Sequence, residues 1–158
     1  MNRKIIWFIA CALIVSSLAG CGKDKDDETV SPDVRTLADM LVAGLEFEDS
    51  VSEVSVDTAI KYYGISDGEV QDSVSYISTG ATSEELSVFE AVTDSDAQNI
   101  LAAMKSRRDS QIQVYLDYKP DEVNRLDNAV LYAHGRFVVY VVSDDSDKAH
   151  SIISGYLE

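Results

Sequence analysis

The hydrophobic positions change period several times along the chain, and each change marks an element. Val34, Leu37, Leu41 and Leu45 recur at helical spacing after Ser31-Pro32, a pair suited to an N-cap and a first helical position. Residues 32–46 are therefore expected to form an amphipathic helix. A short second helix, capped by Asp57 or Thr58, is expected to end at Tyr62-Tyr63 with Gly64 as its stop, and Asp67-Gly68 reads as a turn. From Ser73 to Thr79 the period becomes two, with Val74 and Tyr76 on one side and serines between them. After Gly80 it alternates again over Glu85 to Val92, with Leu86, Val88 and Val92 on one face. Two half-buried strands joined by a longer connection follow from this pattern.

Ser95 and Gln98 stand at capping-box spacing ahead of a long helical pattern. Ile100, Leu101, Met104, Arg108, Ile112 and Tyr115 lie near one face of that helix, which is expected to run to about Tyr118 and stop before Pro120. Pro120 to Leu126 restarts a short helix. Ala129–Ala133 and Phe137–Val142 are apolar runs separated by His134-Gly135-Arg136, the pattern of a tight hairpin. The second run is unbroken, which predicts a strand at the sheet centre covered on both faces. Ser143-Asp144-Asp145 then caps a last helix with the stripe Ala149, Ile152, Ile153, Tyr156 and Leu157. The order αα-ββ-αα-ββ-α predicts a single α+β domain, an antiparallel sheet of about four strands with helices packed on one face.

Composition agrees with a globular chain: 158 residues, 46% hydrophobic and 26% charged. The net charge of -15 argues against a nucleic-acid partner, which demands a basic footprint, and against a domain lying flat on an anionic membrane. It favours solubility first, and cationic partners second.

The N-terminal pattern differs from all that follows. Arg3 and Lys4 precede an apolar run from Ile5 to Val15, then Ser16, Ser17 and small residues. This order of charge, short apolar stretch and small residues is that of a secretory signal peptide over residues 1–20, and the run is too short to span a bilayer. Leu18-Ala19-Gly20-Cys21 resembles the bacterial lipobox. That resemblance implies a diacylglyceryl thioether on Cys21, cleavage between Gly20 and Cys21, and anchoring by fatty-acyl chains such as palmitate at the outer face of the cytoplasmic membrane. One such chain holds a protein marginally and two hold it stably, at about 0.8 kcal/mol per buried CH₂. Residues 21–30, with the charged run Gly22 to Glu28, read as the lipidated cysteine and a solvated tether that reaches on the order of 17 Å. Residues 31–158 are then an acidic α+β domain. Cys11 and Cys21 are the only cysteines, so this domain relies on core packing without a disulfide.

Candidate chemistry is sparse. His134 and His150 have no cysteine or second histidine at ligand spacing, so no metal is expected. No nucleophile elbow, phosphate loop or dinucleotide fingerprint occurs, so no cofactor is expected. Glu84-Glu85 opens a strand, but alternation sends the two carboxylates to opposite faces, so they read as a solvated strand start. Lys105-Ser106-Arg107-Arg108 is the one basic cluster, with Lys105 and Arg108 sharing a helix face. Lys105, Arg107 and Arg108, with Tyr115 and Tyr118 further along the helix, are the candidate contacts for a ligand or partner; internal salt bridging is the plainer alternative.

Tyr62-Tyr63-Gly64-Ile65, the run Gly80 to Phe89, Tyr118-Lys119-Pro120-Asp121-Glu122 and Gly135-Arg136-Phe137-Val138-Val139 occur in this order. Together with the lipobox they resemble a family of small lipoproteins from Gram-positive, largely anaerobic bacteria, catalogued as a domain of unknown function (DUF4358-like). The resemblance implies location and a single-domain layout over roughly residues 32–155, and supplies no activity. The expected function is a non-catalytic, membrane-anchored binding or accessory module that meets another extracytoplasmic protein or a small ligand. The alternative is a small extracytoplasmic enzyme acting on envelope material, which would need a cleft with a perturbed Glu, His134 or Tyr and would be favoured by a pocket lined by Arg108, Tyr115 and a carboxylate.

Overall fold

The computed structural model describes residues Ser31–Glu158, which form one compact unit. Residues 1–30, on which the expected signal peptide, the Gly20–Cys21 cleavage and lipidation site and the expected tether fall, lie outside the described residues. Five helices and five strands follow in the order α1 (Val34–Gly44), β1 (Val51–Val54), α2 (Val56–Tyr63), β2 (Val70–Ser78), β3 (Glu85–Ala91), α3 (Asp94–Tyr118), α4 (Asp121–Asp127), β4 (Val130–His134), β5 (Phe137–Val142) and α5 (Ser146–Leu157). The strands form one antiparallel sheet in the order β1-β2-β3-β5-β4. The α+β class of the sequence reading holds, with five strands where about four were expected. The extra strand is β1, whose Val-Ser-Glu-Val is too short and too polar to show a period.

Helices cover both faces of the sheet, not one. The physical reason lies in β3 and β5, which are apolar on both sides. Leu86, Val88, Val139 and Val141 pack with α1 and α5 through Leu37, Leu41, Ala149 and Ile153. Phe89, Ala91, Val138, Tyr140 and Val142 pack with α2, α3 and α4 through Tyr63, Ile100, Met104 and Leu126. β5 is interior and covered on both faces as expected, but the middle position belongs to β3. Val92, expected to continue the β3 face, lies beyond the strand and is exposed.

The starts of α1, α2 and α3 shift by two or three residues from the expected caps. Asp33, not Ser31, caps α1 by accepting from the Thr36 N–H at 2.7 Å, which leaves Pro32 ahead of the cap. Ser55 caps α2 in place of Asp57 or Thr58. At α3 the reciprocal pair is Thr93 with Asp96, not Ser95 with Gln98: the Thr93 hydroxyl accepts from the Asp96 N–H and donates to its carboxylate at 2.6 Å. Each sequence offers several oxygen-bearing side chains in a row, and the tertiary docking of the helix selects among them. Gly64 does end α2 in the left-handed conformation, and Gly135, also at positive φ, closes the two-residue β4–β5 turn.

Candidate functional site

Alternation along β3 sends Leu86 and Val88 to the α1/α5 face, and Glu85, Ser87, Phe89 and Ala91 to the α3 face. Glu84 and Glu85, expected as a solvated strand start, are both buried, at 1% and 2% exposure. The sheet continues past them on both sides: Glu85 pairs with Val142 of β5 and with Ile77 of β2. Their surroundings divide them sharply.

Glu84 is saturated. Its carboxylate accepts from the backbone N–H groups of Glu48 and Asp49 and from the Thr82 hydroxyl, each at 2.9 Å. It thereby holds the α1–β1 connection against the β2–β3 connection. The neighbouring Glu122 of α4 does similar work. It accepts from the Ser83 N–H and hydroxyl at 2.8 Å, from Arg125 at 2.5 Å and from Lys119 at 2.9 Å. Burial pushes the Glu122 carboxyl up, but Ser83, Lys119 and Arg125 outweigh it and hold the pKa at about 2. Arg125 spends its whole fork here: one side on Asp144 (2.8 and 3.1 Å), the rest on Glu48 (3.0 Å) and Glu122. Two runs far apart in sequence, residues 81–84 and 119–122, meet through these bonds and that from Lys119 to the Ala81 carbonyl. The buried members of this network, Glu84, Glu122 and Arg125, are thus held by the fold itself.

Glu85 is the opposite case. It lies beneath α3 among Tyr62, Tyr63, Tyr140 and Arg107. One oxygen stands 3.5 Å from Arg107; the other, Oε1, has no hydrogen-bond partner among the described residues. Arg107 Nε and the Tyr140 hydroxyl are likewise buried without partners. Burial pushes the Glu85 carboxyl above its ordinary value, and Arg107, Tyr62 and Tyr140 offset only part of that. Burial and the Glu85 charge push the Tyr62 and Tyr140 hydroxyls up as well. Arg107 reaches the surface, at 18% side-chain exposure, with its guanidinium 3.8 Å from the centre of the Tyr62 ring and bonded to the Tyr62 hydroxyl. Beneath it Tyr63 is fixed edge-on against Tyr62, Phe89 and Tyr140, and its hydroxyl is bonded to Ser87, which donates on to Ser75.

The structure sorts the sequence candidates. Arg107 belongs to this cluster. Tyr115 borders it, buried, with its hydroxyl donating to the Thr82 carbonyl at 2.6 Å. Tyr118, at 69% exposure, leans on Tyr115 from outside. Lys105 is exposed, and Arg108 turns to its neighbour Asp109 at 2.8 Å. Arg108 therefore does not line a cleft with Tyr115; the arginine of the basic cluster that faces the buried Glu85 carboxylate is Arg107. A helix position one residue away differs by about 100° in direction, and an intermediate position on each side of the buried stripe leaves the choice to the partner, here Glu85. His134 is exposed at the end of β4, and His150 packs edge-on against Tyr132. Among the described residues no group of three or more His, Cys, Asp or Glu side chains is placed to hold a metal ion. An open groove of about 580 Å³ between the end of α1 and the start of α5 is lined by Glu46, Phe47, Glu48, Asp144, Asp145 and Lys148, with Glu48 and Asp144 already engaged by Arg125.

A family model described as "Domain of unknown function (DUF4358)" matches residues 43–143. The chain belongs to this family. The matched span runs from the end of α1 to the end of β5 and contains every residue of the Glu85 cluster and of the Arg125 network except Asp144. No curated protein and no solved structure matches the chain.

Proposed function

We propose that this DUF4358 chain is a lipoprotein, acylated on Cys21, cleaved between Gly20 and Cys21, and held at the outer face of the cytoplasmic membrane, with residues 31–158 serving as a binding module. The anchor rests on the signal-peptide order and the lipobox-like Leu18-Ala19-Gly20-Cys21. No helix among the described residues is long and apolar enough to cross a membrane. Replacing Cys21 by Ser is expected to abolish fatty-acid labelling and release the protein from the membrane fraction; labelling that survives the change rejects the anchor.

One observation carries the binding reading: directly beneath the half-buried, surface-reaching Arg107 lies a buried carboxyl, Glu85, whose Oε1 makes no hydrogen bond of ordinary length among the described residues and has the Tyr62 and Tyr140 hydroxyls as its polar neighbours. Buried polar groups are ordinarily paired, so an arginine that reaches the surface from a loosely satisfied carboxyl has hydrogen-bonding capacity to offer a polar partner. The partner is another extracytoplasmic protein or a small ligand presenting polar groups to Arg107. A second reading, a small enzyme acting on envelope material, has the raised Glu85 carboxyl in its favour, a group suited to donating a proton. Against it, the adjacent carboxylate Glu84 faces the other side of the sheet and is fully engaged, so no carboxylate pair forms. In-cell crosslinking of the anchored protein, read by mass spectrometry, tests the choice. A reproducible partner, lost in Arg107→Gln but kept in Lys105→Glu and Arg108→Glu, is expected. A partner indifferent to Arg107 places binding elsewhere.

A further inference from the structure

Glu85 and Glu122 are both buried carboxyls, at 2% and 3% side-chain exposure, and the fold treats them unequally. Glu122 has two cations and a serine as donors, all in close contact. Glu85 has one cation, and that contact is 3.5 Å. A charge-assisted hydrogen bond is about 2.7–2.9 Å. The other titratable groups facing Glu85 among the described residues are tyrosines: Tyr62 and Tyr63 from α2, Tyr115 from α3 and Tyr140 from β5. Arg108, within range of Tyr140, is bonded to Asp109 at 2.8 Å. Lys119 and Glu122, within range of Tyr115, are bonded to each other at 2.9 Å.

Arg107 is committed through a single nitrogen. Nη2 makes both of its contacts, to the Tyr62 hydroxyl and to Glu85. A guanidinium carries five N–H donors, and neither Nη1 nor Nε has a partner among the described residues. One flat face lies over the Tyr62 ring, 3.8 Å from its centre, so the remaining donors point edgewise. The side chain is 18% exposed, so a solute can touch Arg107 without touching Glu85.

We propose that Arg107 binds a small carboxylate ligand and that Glu85 takes up one proton as the ligand arrives. This names the ligand class and the regulation of the site, and it rests on the binding reading above. The coupling follows from charge. The arriving carboxylate and Glu85 are two anions against one guanidinium, and two like charges sharing a site do not both stay ionised. The arriving one keeps water on its outer side, whereas Glu85 is sealed beneath α3. Glu85 is therefore the one that is protonated. Its new O–H donates to the Tyr62 or Tyr140 hydroxyl, already its neighbours, and Arg107 turns its donors to the ligand. One carboxylate and one proton enter from solvent, and no covalent bond to carbon is made or broken. A planar, singly charged carboxylate matches one guanidinium in shape and in charge. A dianion such as sulfate brings a second charge into a chain of net charge -15.

Nuclear magnetic resonance on the full-length chain in detergent reads both events. Formate is the probe and sulfate the comparison, since neither changes its own ionisation between pH 6 and pH 8. Formate is expected to shift the Arg107 side-chain N–H signals and, together with them, the Glu85 carboxyl carbon toward its protonated position. Its affinity is expected to rise as pH falls, by about tenfold per unit where one whole proton is taken up. Sulfate is expected to bind more weakly than formate at each pH. Glu85→Gln, neutral throughout, is expected to bind formate with an affinity that no longer varies with pH, and Arg107→Gln not to bind it. The carbon shift is read in the parent chain, so it decides the matter even where Arg107→Gln fails to fold. Formate binding at Arg107 with an unmoved Glu85 carbon and a flat pH profile overturns the proton coupling and leaves the binding reading in place. Tighter binding of sulfate overturns the carboxylate assignment. No formate-dependent shift at Arg107 overturns the proposal as a whole, and a crosslinked partner also indifferent to Arg107 takes the binding reading with it.

Discussion

Replacing Arg125 by Met is expected to cost about 3–5 kcal/mol of folding stability and to lower the melting temperature by about 10–20 °C in a domain of this size. The guanidinium is 8% exposed and is shared among Glu122, Asp144 and Glu48. Those three carboxylates are not equally dependent on it. Asp144 and Glu48 are 70% and 59% exposed at the side chain and regain water when the arginine leaves. Glu122, at 3%, does not, and keeps only Lys119 as a countercharge. The loss is therefore dominated by one stranded carboxylate, because removing one partner of a buried pair leaves an uncompensated charge. Arg125→Lys, which keeps a charge but not the fork, is expected to fall between the two. A thermal melt followed by circular dichroism decides the matter; a Met variant melting within a few degrees of the parent would show that Glu122 is neutralised by other means.

The adjacent glutamates provide the second large effect, and its sign reverses between them. Glu84→Gln is expected to destabilise the domain by about 1.5–3 kcal/mol at neutral pH, because an amide cannot accept on both sides from Glu48, Asp49 and Thr82. Glu85→Gln is expected to stabilise it. The Glu85 carboxyl titrates in the fold above its ordinary value of 4.5, so its ionisation opposes folding. That penalty is absent below 4.5 and grows as pH rises through the folded-state value. The advantage of Gln at position 85 is thus confined to neutral and alkaline pH and vanishes in acid. Glu122, held at about 2, behaves in the opposite sense: its contribution is full above 4.5 and is lost as pH falls toward 2. Denaturant unfolding of Glu84→Gln and Glu85→Gln at pH 7 and pH 4 measures both signs, and a Glu85→Gln variant less stable than the parent at pH 7 would refute this account of Glu85.

The same residues mark the boundary of what the sequence shows. Alternation correctly separates Glu84 from Glu85 by face, but it carries no information about depth. Glu85 is buried because α3 covers the second face of β3, and Glu84 because the α1–β1 connection closes over it, neither of which a local window contains. Arg107 and Arg108 are indistinguishable by helical spacing, and Glu85 draws the former inward. Tyr140 sits within an apolar run as though it were another core residue, and only the fold brings its hydroxyl beside a carboxyl. Ser75 and Ser87 on paired strands, with Tyr63 ahead of them, are the polar groups whose positions in the sequence do mark this buried network.

By itself the sequence determined the nature and order of nearly all the elements, the hairpin at Gly135, the stop at Gly64 and the α+β class, because these depend on periodicity and on local backbone chemistry that a short window contains. The export and lipidation proposal rests on the sequence alone. The tertiary structure decided the fifth strand, the two-sided helical cover, the caps in use, and which charged side chains are buried together. Glu122 meets Ser83 across 39 positions and Arg125 meets Glu48 across 77. Contacts so distant along the chain leave no periodic trace, and whether a buried charge is satisfied or left wanting is settled only when the whole chain has closed around it.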